Sequence, residues 1–146
     1  MYILNRTVDK AEALAEEINQ MAGRPFAKAC ALTDYERIPG ENWLVIQATS
    51  VGMHPHVEDV IIEDESFYKH VETGYDLIFN PGMTRFMKMT KAAGGRIYNG
   101  ARMLVYQGII AFELWTGTSI GQDMADELCE MMAQALGQRQ NGGYNR

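Results

Sequence analysis

The chain has 146 residues, 47% of them hydrophobic and 22% charged, with a formal net charge of −6. That profile fits one folded domain with a real core and excludes a disordered chain, and an acidic chain with no basic run or stripe is not a nucleic-acid surface. No apolar stretch reaches the roughly 20 residues that span a bilayer, Arg6, Asp9 and Lys10 interrupt any signal peptide, and Cys30 and Cys129 have no C-x-x-C partner, so a cytoplasmic protein with idle thiols is expected.

The chain opens on Tyr2-Ile3-Leu4-Asn5-Arg6-Thr7. An apolar triplet running into a polar one, just ahead of a helical pattern, predicts a strand. Its end delivers Asn5, Arg6 and Thr7 to the carboxyl edge of a sheet, where open α/β sheets bind ligands. The Arg6 guanidinium is a rigid fork of N–H donors suited to phosphate. After the second strand of a dinucleotide-binding domain, such an arginine meets the adenosine 2′-phosphate and selects NADP over NAD. The triplet alone fits a plain surface arginine beside a threonine N-cap better, because short motifs recur by accident. A domain that starts on a strand at its second residue also reads as a piece of something longer.

Val8, Ala11, Leu14, Ala15, Ile18 and Met21 then form a helical stripe, with the Thr7 hydroxyl as expected cap and Gly23 and Pro25 as its stop. Residues 26–31 predict a short strand, and residues 33–37 a single helical turn ended by Pro39-Gly40. Trp43 to Ala48 is a continuous apolar run, the pattern of a parallel strand covered on both faces. A loop of small residues follows, Thr49-Ser50-Val51-Gly52-Met53. Residues 54–74 read as irregular, with one weak turn at 65–70.

Tyr75 to Phe79 predicts the next strand, Thr84 caps a helix to Ala93, and Arg96 to Tyr98 is a last short strand. Residues 101–115 are apolar on nearly every side, which predicts a largely buried helix. Ser119-Ile120-Gly121-Gln122 forms a capping box for a final helix carrying Met124, Leu128, Met132 and Leu136 and ended by Gly137. The tail, 138–146, is polar and is expected to be disordered. The ten methionines read as core filler. Strands alternating with helices at this spacing predict a parallel sheet of βα units, half of a doubly wound α/β fold.

Four segments, in this order and spacing, resemble the C-terminal, NADP-binding portion of shikimate dehydrogenases. They are Asn5-Arg6-Thr7 with Lys10; Ala48-Thr49-Ser50-Val51-Gly52-Met53; Asp76-Leu77-Ile78-Phe79-Asn80-Pro81 with Thr84; and Asn99 through Gly108. The resemblance implies a Rossmann-like doubly wound fold over residues 1–137 and the reduction of 3-dehydroshikimate to shikimate by NADPH, a step of aromatic amino-acid biosynthesis. It assigns Asn5, Arg6, Thr7 and Lys10 to the adenosine ribose and 2′-phosphate. Ala48, Thr49, Ser50, Val51 and Met53 match the loop beneath the cofactor. Leu77, Gly100 and Met103 match positions beside the nicotinamide, where a side chain at Gly100 would intrude on the ring. Gln107 matches the residue that reaches substrate hydroxyls, and Phe79 stands where the family has a tyrosine that meets the substrate carboxylate. Gln47 replaces the family's asparagine.

The resemblance also implies what this stretch lacks. The family's catalytic Lys and Asp lie in an N-terminal substrate domain, so no catalytic residue is expected in this chain. The first βα unit of the nucleotide-binding domain and its glycine-rich turn are absent too. That first strand is central in the 3-2-1-4-5-6 order, so the strands at 2–5 and 43–48 should flank a gap with costly unpaired edges. Three outcomes are open: another chain supplies the piece, the strands close up or pair across a homodimer, or the chain is a fragment.

His54-Pro55-His56 with Glu58 and Asp59 reads as plain surface rather than a metal site, and Ser50 lacks the surroundings of a nucleophile. Asp76 fits a structural role as well as a functional one. The expected ligands are therefore NADP(H) and, with a complementing N-terminal domain, a shikimate-type small molecule, with no nucleic acid, membrane or metal. The alternative is a non-catalytic dinucleotide-binding or oligomerisation module left by truncation or gene splitting.

Overall fold

A computed structural model describes residues 1–136; Gly137 and the 138–146 tail lie outside the described residues. In chain order the elements are β1 (Tyr2–Asn5), α1 (Val8–Ala22), β2 (Lys28–Ala31), a 3-10 turn (Leu32–Arg37), β3 (Trp43–Gln47), α2 (Glu65–Tyr68), β4 (Val71–Asp76), α3 (Arg85–Ala92), β5 (Arg96–Tyr98), α4 (Ala101–Thr116) and α5 (Gln122–Ala135). The fold is mixed α/β with parallel strands, as expected.

The strands form two sets. β1 pairs with β2, placing Ile3 opposite Ala29 and Leu4 opposite Cys30. β4 lies between β3 and β5, so that Ile46, Tyr75 and Tyr98 make one row across the second set. β1 and β3 do not pair. The gap expected between them is present, and the strands have not closed up.

α1 buries Ala11 and Ala15 against β1 and β2. α3 covers one face of the second set, and Gly74 permits its close approach. A Cβ there would sit 3.1 Å from the Phe86 ring and the Thr90 methyl. The core is a cluster of Tyr35, Phe67, Tyr68, Val71, Phe86 and Met87, on which Leu4 of β1 and Trp43 and Val45 of β3 both pack. The two sheets thus share one core although no ladder joins them.

Several expectations need correction. β3 is not covered on both faces: Leu44 is 65% and Ile46 59% exposed, because no element among the described residues packs on that side. α4 buries only Ala101 and Ile109, since it packs against α5 along one stripe, and Trp115 is 83% exposed. Of the methionines only Met87 is fully buried among the described residues. β4 starts four residues earlier than expected and ends at Asp76, whose own carboxylate takes the Ile78 N–H and turns the chain. The 119–122 capping box does not form; α5 begins at Gln122, and the Glu113 carboxylate takes the Ile120 N–H instead. No described helix is long and apolar enough to cross a membrane.

Candidate functional site

Every site residue expected from the sequence ends or follows a parallel strand. Asn5 closes β1, with Arg6, Thr7 and Lys10 beyond it; Ala48 to Met53 follow β3; Leu77 and Phe79 follow β4; Gly100 follows β5, and Met103 and Gln107 lie on α4. In α/β folds such carboxyl-end loops hold the ligand.

At the end of β1, the Asn5 carboxamide oxygen accepts the Thr7 N–H at 2.9 Å. This turn organises the entry to α1, and it corrects the expected cap: Thr7 occupies the N-cap position, but its hydroxyl makes no cap hydrogen bond. Arg6 and Lys10 are exposed, and neither enters an ion pair among the described residues. Two cations therefore face solvent beside the first turn of a helix, whose backbone N–H groups add to the pull on an anion.

The loop after β3 is held from within by Gln47, which is buried. Its carbonyl oxygen accepts from the Thr49 N–H at 2.6 Å and the Thr49 hydroxyl at 2.8 Å. Its amide donates to the Val51 carbonyl at 3.0 Å, and the Thr49 hydroxyl oxygen accepts the Val51 N–H at 3.1 Å. Ala48, Thr49, Ser50 and Met53 stay exposed on this clamped backbone. The structural importance of Gln47 was not read from the sequence. Its signal was a lone amide ending an apolar strand ahead of small hydroxyl residues, a pattern that offers hydrogen bonds to a tight loop.

The loop after β4 is anchored by Asp76, which has no exposed surface. One oxygen accepts the Ile78 N–H at 3.0 Å, and the other accepts the Thr84 hydroxyl at 2.6 Å. Burial pushes the carboxyl above its ordinary range, against the opposing pull of hydrogen bonds from Thr84, Ile78 and Gln47. The Leu77 N–H reaches the Gln47 carbonyl at 3.0 Å, joining this loop to β3. Asp76 thus has a positioning role.

Gly100 fits against the same loop. A Cβ on it would lie 2.1 Å from the Leu77 carbonyl oxygen, and its N–H donates to the Ile78 carbonyl at 3.2 Å. Contact with the chain's own backbone therefore already requires glycine, before any ligand is considered. Asn99 adds a stitch, donating to the Gly82 carbonyl and accepting the Ala101 N–H. Phe79 is 37% exposed beside these turns, and Met103 and Gln107, one helical turn apart, are exposed on one side of α4.

The structure unites the 47–51 loop, the 77–79 loop and the start of α4, while Asn5, Arg6 and Lys10 stand apart on the first sheet. No group of three His, Cys, Asp or Glu suited to a metal occurs among the described residues.

Comparison with known proteins gives these loops a context. The model of the shikimate 5'-dehydrogenase C-terminal domain matches residues 100–120. A shikimate dehydrogenase (NADP(+)) of Geobacillus kaustophilus is 43% identical over 113 residues, covering 77% of this chain and 39% of that protein. The Methanopyrus kandleri protein of the same name is 40% identical over 118 residues, covering 79% and 40%. A solved shikimate dehydrogenase in complex with NADP+ superposes with a TM-score of 0.76 at 31% identity, over 92% of this chain and 46% of its own. The chain spans under half the length of these relatives.

Proposed function

We propose that this chain, which belongs with the C-terminal portion of the shikimate dehydrogenase family, holds NADP(H) for the reduction of 3-dehydroshikimate to shikimate. The substrate-binding half lies outside residues 1–146. The observation that carries this reading is Arg6, a solvent-facing guanidinium at the carboxyl end of β1, with Lys10 one turn along α1.

The donor set fits such a cofactor. Arg6 pairs with the 2′-phosphate through two parallel N–H donors and Lys10 adds a point charge. Asn5, Thr7 and the turn between them orient Arg6. Ala48, Thr49, Ser50 and Val51 present a backbone fixed by Gln47, with side chains small enough to let the ligand lie close, and Met53 borders it. Leu77, Met103 and Gly100 shape the end where the ring sits. When bound, NADPH supplies the hydride. Gln107 donates to and accepts from substrate hydroxyls, with Phe79 beside it as an apolar wall. Proton transfer belongs to the complementing half.

Calorimetry on the full chain tests this directly. NADPH should bind more tightly than NADH, and Arg6→Ala should cut NADPH affinity about 10- to 100-fold, the worth of a charge-assisted pair, with little change for NADH. Equal affinities for the two nucleotides would remove the assignment of Arg6.

Phe79 favours a second reading, a nucleotide-binding module without turnover, because it lacks the hydroxyl that the resemblance places near the substrate. Steady-state assay of the chain joined with a complementing half separates the two. Reduction of 3-dehydroshikimate by the purified chain alone would overturn the placement of catalysis elsewhere.

A further inference from the structure

α4 carries Met103 and Gln107 and is fastened to the site loops at its start, where the Gly100 N–H bonds the Ile78 carbonyl and Asn99 bonds the Gly82 carbonyl. Along its length its principal packing partner is α5. A helix pinned at one end can still roll about its own axis, so the contact with α5 decides where its side chains point. The buried residues of the pair are Ala101 and Ile109 on α4 and Ala125 and Cys129 on α5. Burial of this kind holds the helices together but is non-directional.

Direction comes from two polar rungs. Arg102 donates to the Asp126 carboxylate at 2.8 Å, and the Gln122 amide donates to the Tyr106 hydroxyl at 2.9 Å. Residues 102 and 106 are one turn apart on α4, as 122 and 126 are on α5, so the rungs follow the order of an antiparallel helix pair. The Arg102 guanidinium lies 5.8 Å from the centre of the Tyr106 ring, which ties one rung to the other. At the far end the Glu113 carboxylate accepts the Ile120 N–H at 2.7 Å. Positions 102, 106 and 113 share one stripe of α4, and Met103 and Gln107 stand about a quarter to a third of a turn away from it. Side chains reach about 5–6 Å from a helix axis, so a roll of about 20° carries a side-chain tip about 2 Å. A site holds its contacts to within about 0.5 Å, so a roll of that size would misdirect both residues. The Arg102 and Asp126 side chains are 41% and 50% exposed, and such a pair adds little stability. What it supplies is direction, through the geometry a hydrogen bond demands.

We infer that Arg102 and Tyr106 are positioning residues: held by Asp126 and Gln122 of α5, they set the roll of α4 and with it the direction of Met103 and Gln107. α5 carries none of the candidate site residues, yet it fixes where two of them point. The consequence at the site rests on the reading of Met103 as a neighbour of the nicotinamide and Gln107 as a substrate contact; the control of the roll does not.

Both rungs can be cut from the α5 side, by Asp126→Ala with Gln122→Ala in the full 146-residue chain. Alanine keeps α5 helical, and neither substitution neighbours Met103 or Gln107 in sequence. NMR of the chain alone reads the Met103 methyl and the Gln107 side-chain amide, with the methyl of Met87, buried in the core cluster, as control. Both signals should shift in the double variant while Met87 stays in place. The swapped pair, Arg102→Asp with Asp126→Arg, should return the Gln107 amide to its wild-type position. Met103 and Gln107 signals that do not move overturn the inference, and so does a shift that Met87 shares, which would mark general loosening. NADPH is the second probe. Arg6 and Lys10 hold its adenosine end, so its affinity by calorimetry should change by no more than about 2-fold, the ordinary limit for distant sites. The change in fluorescence of the reduced nicotinamide on binding should be lost, and a change that survives the double substitution overturns the inference at the site. A wild-type chain that binds no NADPH refutes the cofactor reading instead, and the methyl and amide signals then decide the role of the rungs by themselves.

Discussion

Two glycines near the candidate site should respond oppositely to the same substitution. At Gly100 an added methyl meets the Leu77 carbonyl oxygen at 2.1 Å and its carbon at 2.7 Å, against an ordinary contact of 3.4 Å or more. The obstruction is backbone that is tied on both sides, through the Leu77 N–H to Gln47 and through the Gly100 N–H to Ile78. Relief requires α4 to move away by more than an ångström and to lose the second of these bonds. Overpacking typically costs about 1–3 kcal/mol, and a lost hydrogen bond adds about 1. Gly100→Ala should therefore destabilise the chain by about 3 kcal/mol. Gly108, inside α4, has nothing within 4 Å of its Cβ position, so Gly108→Ala should stabilise by up to about 1 kcal/mol through helix propensity alone. Urea unfolding followed by circular dichroism reads both. With a slope of about 1.5 kcal/mol per molar, the first midpoint should fall by about 2 M and the second rise by up to about 0.7 M. A Gly100→Ala midpoint within 0.3 M of wild type, taken as roughly the error of the method, would refute the packing account of the Leu77 turn.

Two further outcomes follow from the same turns. The folded pKa of Asp76 is raised by burial, so its contribution is fully present below the unfolded carboxylate range and is lost as pH rises through the folded value. Asp76→Asn removes that titration, and the stability difference between wild type and variant should shift against wild type from pH 4 upward, read by unfolding midpoints across the range; a pH-independent difference would contradict the shift. Phe79→Tyr places a hydroxyl where the resemblance expects a substrate contact. In the complemented enzyme it should lower KM by about 2- to 10-fold, the value of one hydrogen bond, with nucleotide affinity unchanged.

Local patterns with a single physical meaning were legible in the sequence. Gly23 ends α1 in the left-handed conformation, at φ 63°, and Thr84 caps α3 through the Met87 N–H, because both signals depend on one or two residues. The alternation of strands and helices followed from spacing, and the open edge between β1 and β3 followed from the family resemblance. What did not follow depended on competition between neighbours. Thr7 stands at the N-cap position but makes no side-chain cap bond, and its own N–H is taken by the Asn5 carboxamide. β4 was misplaced because Glu72-Thr73-Gly74 lacks apolar alternation, although Gly74 is there to admit Phe86 and Thr90. Gln47 looked incidental, and Asp76 fitted a structural as well as a functional role, until their buried hydrogen bonds showed that they fix two adjoining loops.

The misread burials lie on β3 and α4. Leu44, Ile46, Ile110, Leu114 and Trp115 carry the sequence signature of core positions, yet all are exposed. Leu44 is 65% and Ile46 59% exposed, so covering what remains of the two would contribute about 2–4 kcal/mol, a sizeable share of the roughly 5–15 kcal/mol that stabilises an ordinary domain. Closing the two edges would remove their unpaired backbone groups besides. The residues along that open edge and along α4 are therefore where a covering partner would have most to add. The candidate loops lie at the carboxyl ends of both sheets, on either side of that open edge. Arg6 on one sheet and the Gln47-clamped loop on the other already rest on one shared core, through Leu4 and through Trp43 and Val45.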